Sequence, residues 1–409
     1  MIRFIHTADI HFGMENYGRI DPQTGIHTRL LDFDKALTAC VDYAISNKVD
    51  FFLFAGDAYK TATPSPTQQR LFLRCFLKLY QAQIPVVIIV GNHDHPMSFG
   101  KAHALDIFNE LPVDGFHVID KPKTTRLITK NGPVSIVGIP WPTRSAIALQ
   151  SGYQLREYDD ITLKISAALA HSIQEQAAQL NPEEPAVLAG HLTVASGIFS
   201  GSEKRAIYGN DPVLLTSQLA IQPFDYVALG HLHRHQNLNE GGHPAVVYSG
   251  SLERIDFGER KDQKGFCDVQ IHDKNHTTYN FIPVPTRPFI QIEISLHSAV
   301  EQTQILVHKL SEYNLHNAVV KIIYHLHNGV RDNVHIPTIM NACSQAHYVV
   351  GIFPVHAQVV KERRTIACSS SQSLQTIVQE YFSNKHDLKH KTEQLTQKIL
   401  MLADSQVDS

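Results

Sequence analysis

Five short polar clusters follow one another in this chain: Asp9-Ile10-His11, Gly56-Asp57, Gly91-Asn92-His93-Asp94, Gly190-His191 and Gly230-His231-Leu232-His233. Carboxylate, imidazole and amide oxygen are the donors that suit Mn²⁺, Fe²⁺ or Zn²⁺. In an extended Asp9-x-His11 segment both side chains would leave the same side and reach one ion. Glycine opens the other four clusters, where it allows a sharp turn and lets a phosphate approach the backbone. Two ions ~3.5–4 Å apart can hold both the attacking and the leaving oxygen of an in-line displacement. A lone Asp-x-His carries no signal and Gly-Asp alone is usually a turn; the order of all five carries the argument.

Each cluster ends an apolar run. Ile2–Thr7, Val49–Phe54, Val86–Val90, Ala186–Ala189 and Tyr226–Ala228 read as strands, joined by Val134–Gly138 and Val246–Tyr248. Helical spacing falls at Arg29–Asn47, with Leu30, Phe33, Leu37, Val41 and Ala44 along one side, and at Ser65–Gln81. Continuous apolar strands separated by helices predict a layered α/β fold. Polar residues at the carboxyl ends of such strands stand where ligands collect.

Together the clusters resemble the calcineurin-like metallophosphoesterase family, whose pattern is D-x-H, G-D, G-N-H-[DE], G-H and G-H-x-H. The resemblance implies an α/β metallophosphoesterase β-sandwich flanked by helices and two divalent metal ions, Mn²⁺ being the expected metal. It would place Asp9, His11, Asp57 and His233 on the first ion. Asp57, Asn92, His191 and His231 would hold the second, with Asp57 bridging. His93 would be the general acid at the leaving oxygen and Asp94 would orient its imidazole.

The segments Asp225–Gln236, Tyr248–Glu259 and Lys264-Gly265-Phe266 look like bacterial nuclease subunits of the SbcD family, densely over residues 1–282. That likeness implies a DNA exonuclease and endonuclease acting with an SbcC-type coiled-coil ATPase in DNA repair and recombination. The alternative is a free-standing phosphodiesterase or phosphatase acting on nucleotides or phosphoproteins. Where archaeal relatives carry a histidine after the second cluster, this chain has Lys60. The relatives' Ser-Glu-Arg appears as Ser202-Glu203-Lys204-Arg205, shifted by one.

The 409 residues suggest two or three domains. Prolines at 283, 285 and 288 mark a composition shift. Beyond it, strands at Phe289–Leu296, Ala318–Leu326 and Val349–Val360 and helices at Ala299–Tyr313 and His335–Ala346 suggest a small α/β DNA-capping domain over 283–366. The Ser-rich stretch Cys368–Ser373 leads to two amphipathic helices, giving a C-terminal helical tail over 367–409. Leu374, Ile377, Val378, Tyr381 and Phe382 form one stripe. Leu388, Leu395, Ile399 and Leu402 form the second. A helix pair without a core of its own suits docking on a partner, here the ATPase. Leu71–Tyr80 is apolar nearly all round, and a homodimer through this helix is expected.

A formal net charge of −3 excludes a generally basic nucleic-acid binder, so DNA contact must come from local patches. The candidates are Lys60 and the stretch Arg254, Arg260, Lys261 and Lys264, with a second stretch at Lys361, Arg363 and Arg364. The five cysteines are scattered and contain no C-x-x-C pair, so neither a zinc finger nor a disulfide framework is indicated. There is no G-x-x-x-x-G-K-[ST] stretch, so no ATP binding through a P-loop is expected. No apolar run reaches the ~20 residues of a membrane span. The chain opens directly on a strand without a signal-peptide core, which makes a reducing cytoplasm the expected location.

Overall fold

The computed structural model describes residues 1–95, 102–110, 113–143, 158–201, 211–356, 373–383 and 388–404. Two six-stranded sheets form the centre. The first runs, edge to edge, β14 (His276–Pro283), β13 (Gly265–Asp273), β1 (Ile2–Thr7), β2 (Phe51–Phe54), β3 (Val86–Ile89) and β4 (Phe116–Ile119). The second runs β11 (Gln236–Asn237), β12 (Ala245–Tyr248), β10 (Tyr226–Gly230), β7 (Ala186–His191), β6 (Gly132–Ile139) and β5 (Lys123–Thr129). Strands β1 to β4 are mutually parallel, as are β6, β7, β10 and β12; antiparallel strands close both edges of the second sheet and the β14 edge of the first, whose other edge is the parallel strand β4.

The apolar strands are continuous because both of their faces are covered. Phe51 and Leu53 of β2, Val87 and Ile89 of β3, Val187 and Ala189 of β7, and Tyr226 and Ala228 of β10 meet in one buried cluster between the sheets. The alternate residues Phe52, Phe54, Val86 and Ile88 face a second cluster with helices α1 (Thr28–Ser46) and α2 (Pro66–Gln81). Leu188, Val227 and Leu229 face a third cluster with α3 (Tyr158–Ala178). The period of two along each strand therefore produces four layers, helix–sheet–sheet–helix. Helix α2 starts on a full capping box between Ser65 and Gln68, with Pro66 in the first turn.

Two further strands, β8 (Thr193–Val194) and β9 (Val213–Leu214), pair beside the second sheet's loops. A separate three-stranded sheet has the order β15 (Phe289–Leu296), β16 (Val319–Leu326), β17 (Tyr348–His356), with α4 (Gln302–Ser311) and α5 (Ile336–Ala342) in its connections. Arg287 leads into this sheet, and its Nε and Nη2 donate to the two carboxylate oxygens of Asp32 in α1, at 2.8 and 2.7 Å. Helices α6 (Leu374–Ser383) and α7 (Thr392–Asp404) complete the described chain.

The described residues fall into two units. The larger holds Met1–Ile294, Val300–Tyr324 and Asn333–Phe353; the smaller holds Ser295–Ala299, His325–Asp332 and Pro354–Ser409. In the smaller unit α6 and α7 pack on each other. Val378 and Thr396 are buried, Ile377, Phe382, Leu395 and Ile399 are half-buried, and Leu374 and Tyr381 are exposed. No helix of the described residues is long and apolar enough to cross a membrane.

Candidate metal centre

All five polar clusters lie at the carboxyl ends of parallel strands: β1, β2 and β3 of the first sheet, and β7 and β10 of the second. The expectation of an extended Asp-x-His segment fails. Asp9 and His11 both take left-handed backbone, with φ of 54° and 47°. The reason is local pairing. The loop after β1 runs along the loop after β2, with Asp9 N–H donating to Gly56 O at 2.9 Å, His11 N–H to Asp57 O at 3.1 Å and Phe12 N–H to Ala58 O at 2.9 Å. The side chains still converge: single donor atoms of Asp9, His11 and His233 lie within 4.8 Å of one another.

The glycines serve this convergence of loops. A Cβ on Gly91 would sit 2.2 Å from Asp57 Oδ1, and one on Gly230 would sit 2.1 Å from Ala55 O. Gly56 combines φ of +98° with a Cβ position 2.3 Å from His191 Nδ1. In this structure they let the loop after β2 touch the loops after β3, β7 and β10, which is a different use from the phosphate approach expected of them.

Asp57 is the hub. Its Oδ2 lies 3.6 Å from His11 Nε2 and 3.4 Å from His191 Nε2, while its Oδ1 accepts the His93 backbone N–H at 2.9 Å. Burial works to raise its pKa, but His191, His11 and His93 hold it well below the usual carboxylate range. Conversely, burial opposes protonation of His191, and the Asp57 carboxylate outweighs it, raising the imidazole to about 9. Burial lifts Asp9 to about 6 and pushes His11 and His231 well down. Asn92 Oδ1 stands 2.9 Å from His191 Nε2 and 3.2 Å from His231 Nδ1.

The seven residues expected to ligate metal lie close together: Asp9, His11 and His233 form one group of converging donors, Asp9, Asp57 and His191 another, and Asn92 joins His191 to His231. The donor set fits divalent cations. His11 Nε2 and His233 Nε2 face each other at 3.1 Å, and His231 Nε2 is buried with no hydrogen-bond partner among the described residues. A buried ring nitrogen left without a partner, as at His231, is what a cation satisfies.

His93 is exposed, unlike its buried neighbours His11 and Asp57. Its Nδ1 lies 2.8 Å from the Lys60 carbonyl oxygen. The role expected for Asp94 is corrected here. Its buried carboxylate accepts backbone N–H groups from Asp57 (3.0 Å), Ala58 (3.0 Å), Tyr59 (3.2 Å) and Gly91 (3.0 Å). Asp94 pins the Asp57 loop, and the Lys60 carbonyl holds the imidazole. Four donors inside the fold outcompete one ring for a buried carboxylate.

The basic residues expected to meet DNA divide. Lys60 and Lys261 are exposed. Arg260 is half-buried and donates to Phe257 O at 2.9 Å. Arg254 is half-buried and donates to Asp262 O at 3.0 Å, to Arg287 O at 3.2 Å and to Thr286 Oγ1. Lys264 is corrected outright: it is buried, its ammonium 2.7 Å from Glu259 Oε2, and it offers no charge to a surface ligand. The stretches 202–205 and 361–364 lie outside the described residues.

Sequence reasoning missed two neighbours of the site. Glu259 Oε1 lies 2.8 Å from His233 Nδ1; burial favours its neutral form, but Lys264 and His233 hold its pKa far below the ordinary range. Only its company with Lys264 could have signalled this. Trp141 lies over His231, ring centroids 4.9 Å apart. It is the chain's one tryptophan, a cue that spacing alone does not interpret.

Two face-packed mixed sheets with this ring of Asp, Asn and His at the carboxyl ends of their parallel strands define a metal-dependent phosphoester hydrolase. Residues 2–235 match the family described as calcineurin-like phosphoesterase, and the chain belongs to that family. Such enzymes typically bind two divalent metals, and the cluster around Asp57 is the candidate for that pair. Solved structures that match include a dimetal phosphatase from Danio rerio, at 11% identity and a TM-score of 0.38, covering 68% of this chain and 98% of that one. A protein from Thermus thermophilus matches at 13% identity and a TM-score of 0.37, with the same coverage.

Proposed function

We propose that this chain is an SbcD-type nuclease subunit, a Mn²⁺-dependent exonuclease and endonuclease that hydrolyses the phosphodiester backbone of DNA. The observation that carries the two-metal reading is the position of Asp57, one carboxylate within 3.6 Å of imidazoles from both groups. The DNA reading rests on the sequence around the clusters and on the chain beyond residue 282, which a small-molecule phosphatase does not need.

Two bound divalent ions would activate the attacking water and neutralise the phosphate. Asp9, His11, Asp57 and His233 would hold one, and Asp57, Asn92, His191 and His231 the other. The attacking water gives up a proton to solvent, its oxygen bonds to phosphorus as the bond to the leaving ribose oxygen breaks, and His93 gives that leaving oxygen a proton. The Lys60 carbonyl accepts the Nδ1–H of His93, which leaves Nε2 to carry the transferred proton. Lys60, Arg260 and Lys261 are the bases for DNA contact.

The sheet β15–β17 with its helices is proposed as the DNA cap. The α6–α7 pair would dock on an SbcC-type ATPase through Leu374, Tyr381 and neighbouring apolar side chains. Leu77 and Tyr80, exposed on α2, would lie in a homodimer interface. The decisive experiment is incubation with labelled linear and hairpin DNA, with Mn²⁺ or Mg²⁺, with and without the ATPase. Metal-dependent cleavage is expected; hydrolysis of nucleotide monoesters without cleavage of DNA would overturn the nuclease reading.

A further inference from the structure

We infer that Glu259 and Lys264 form a buried clamp that fixes the ring tautomer of His233 and thereby sets the affinity of one metal position and not the other. The inference rests on the two-metal reading above and deepens it.

The clamp grips His233 at both ends. Glu259 Oε1 meets the ring Nδ1 at 2.8 Å. The Lys264 ammonium donates to the His233 carbonyl oxygen at 2.9 Å and to Ser251 Oγ at 2.9 Å. The two clamp residues also bind each other, Nζ to Oε2 at 2.7 Å, with both side chains fully buried. Glu259 Oε2 accepts the Ile255 N–H at 3.0 Å as well.

An ionised carboxylate only accepts hydrogen bonds, so the proton of the neutral His233 ring belongs on Nδ1. Nε2 then carries a lone pair toward the group of Asp9 and His11. His191 is held differently, with its Nδ1 against the neutral Ala55 carbonyl at 2.8 Å. A carboxylate partner orients a ligating imidazole and raises its basicity. Lys264 balances the carboxylate's charge, so the clamp orients the ring without adding a net negative charge beside the pocket. Glu259 and Lys264 are positioning residues: they act through His233 and do not face the pocket.

Glu259→Gln tests this with little change of shape. Ile255 N–H and Lys264 Nζ are both donors, so the glutamine oxygen must occupy the Oε2 position. Its amide NH₂ then faces Nδ1, which must accept, and the ring proton moves to Nε2, where it blocks ligation. Mn²⁺ titration by calorimetry on the full chain should show a ~10–100-fold loss at one position, with the other unchanged. His231→Ala identifies which step belongs to which position.

Unchanged affinity at both positions, or equal loss at both in a variant with native circular dichroism, overturns the proposal. Should the glutamine variant fail to fold, ¹⁵N-histidine spectra of the wild-type protein decide. The His233 signal, assigned by its absence from His233→Asn, must show the proton on Nδ1; a proton on Nε2 overturns the clamp. Wild-type protein that binds fewer than two ions overturns the two-metal reading and this inference together. An intact split of affinities without DNA cleavage overturns only the choice of DNA as substrate.

Discussion

The backbone carbonyl of Lys60 lies 2.8 Å from Nδ1 of His93, and this contact aims the one exposed imidazole of the cluster. The ring also stands edge-on to His11, centroids 4.9 Å apart, but its hydrogen-bonded grip comes from main chain and not from a metal-facing side chain. His93→Ala should lower DNA cleavage by ~10²–10⁴-fold and leave two metal equivalents bound. Asp57→Ala should lose metal and activity together, because its carboxylate stands between both groups. Metal content by mass spectrometry on the two variants separates these outcomes; a His93 variant stripped of both ions contradicts the assignment.

Asp94 is expected to matter for stability more than for proton transfer. Its carboxyl receives four backbone N–H groups; burial and the neighbouring Asp57 raise its pKa to about 7, and in its charged form each hydrogen bond contributes ~1.5–3 kcal/mol. Asp94→Asn keeps one acceptor oxygen and turns an NH₂ toward the remaining donors. Stability should fall by roughly 3 kcal/mol or more, with weaker metal binding. Calorimetric melting of the variant checks this, and an unchanged Tm would remove the argument.

His6 supplies an acid-sensitive element away from the metal pocket. It is buried between Tyr226 Oη and the Leu229 carbonyl, and burial pushes its pKa down to about 3. The unfolded chain takes up that proton near pH 6.5. The stabilisation is therefore complete above about pH 6.5 and is lost as pH falls toward 3, with a slope of about 1.4 kcal/mol per pH unit. His6→Gln should flatten the pH dependence of unfolding free energy by this amount relative to wild type. Denaturant titrations at pH 7, 6 and 5 measure it; parallel curves for the two proteins would show that His6 carries no such linkage.

On the proposed function, deleting residues 374–409 should abolish association with an SbcC-type ATPase and leave Mn²⁺-dependent cleavage by the isolated subunit intact. Helices α6 and α7 bury Val378 and Thr396 between them and leave Leu374 and Tyr381 exposed. A pull-down and a nuclease assay on the truncated chain test the two halves; undiminished ATPase binding would refute the docking role.

The legible parts of this fold were those whose strands are buried on both faces. Strands β1, β2, β3, β7 and β10 stand out as apolar runs that end in a polar cluster. The β13–β14 hairpin was missed because the outer strand β14 carries His276, Thr277, Thr278 and Asn280, with one face to solvent. Helix α3 was missed as well; its apolar residues face only one side of the second sheet. Within the site, residue types pointed to the correct company but not to the contacts. Nothing in Asp-x-His announces two left-handed residues, because that conformation comes from pairing with a loop some 47 residues away, as Asp9 meets Gly56. Lys264 read as a surface base because charge type alone does not reveal a buried partner five residues earlier.

The pocket's donors come from both sheets: Asp9, His11, Asp57 and Asn92 follow strands of the first, and His191, His231 and His233 follow strands of the second. Already, the His231 backbone N–H donates to the Asp9 carboxylate across 222 residues of sequence. Ions held there would act as rivets at the open end of the sandwich, closing one of the longest loops in the chain. Chelation should accordingly loosen the seam between the halves, and faster amide hydrogen exchange at the ends of β1 and β10 would follow before any loss of the core.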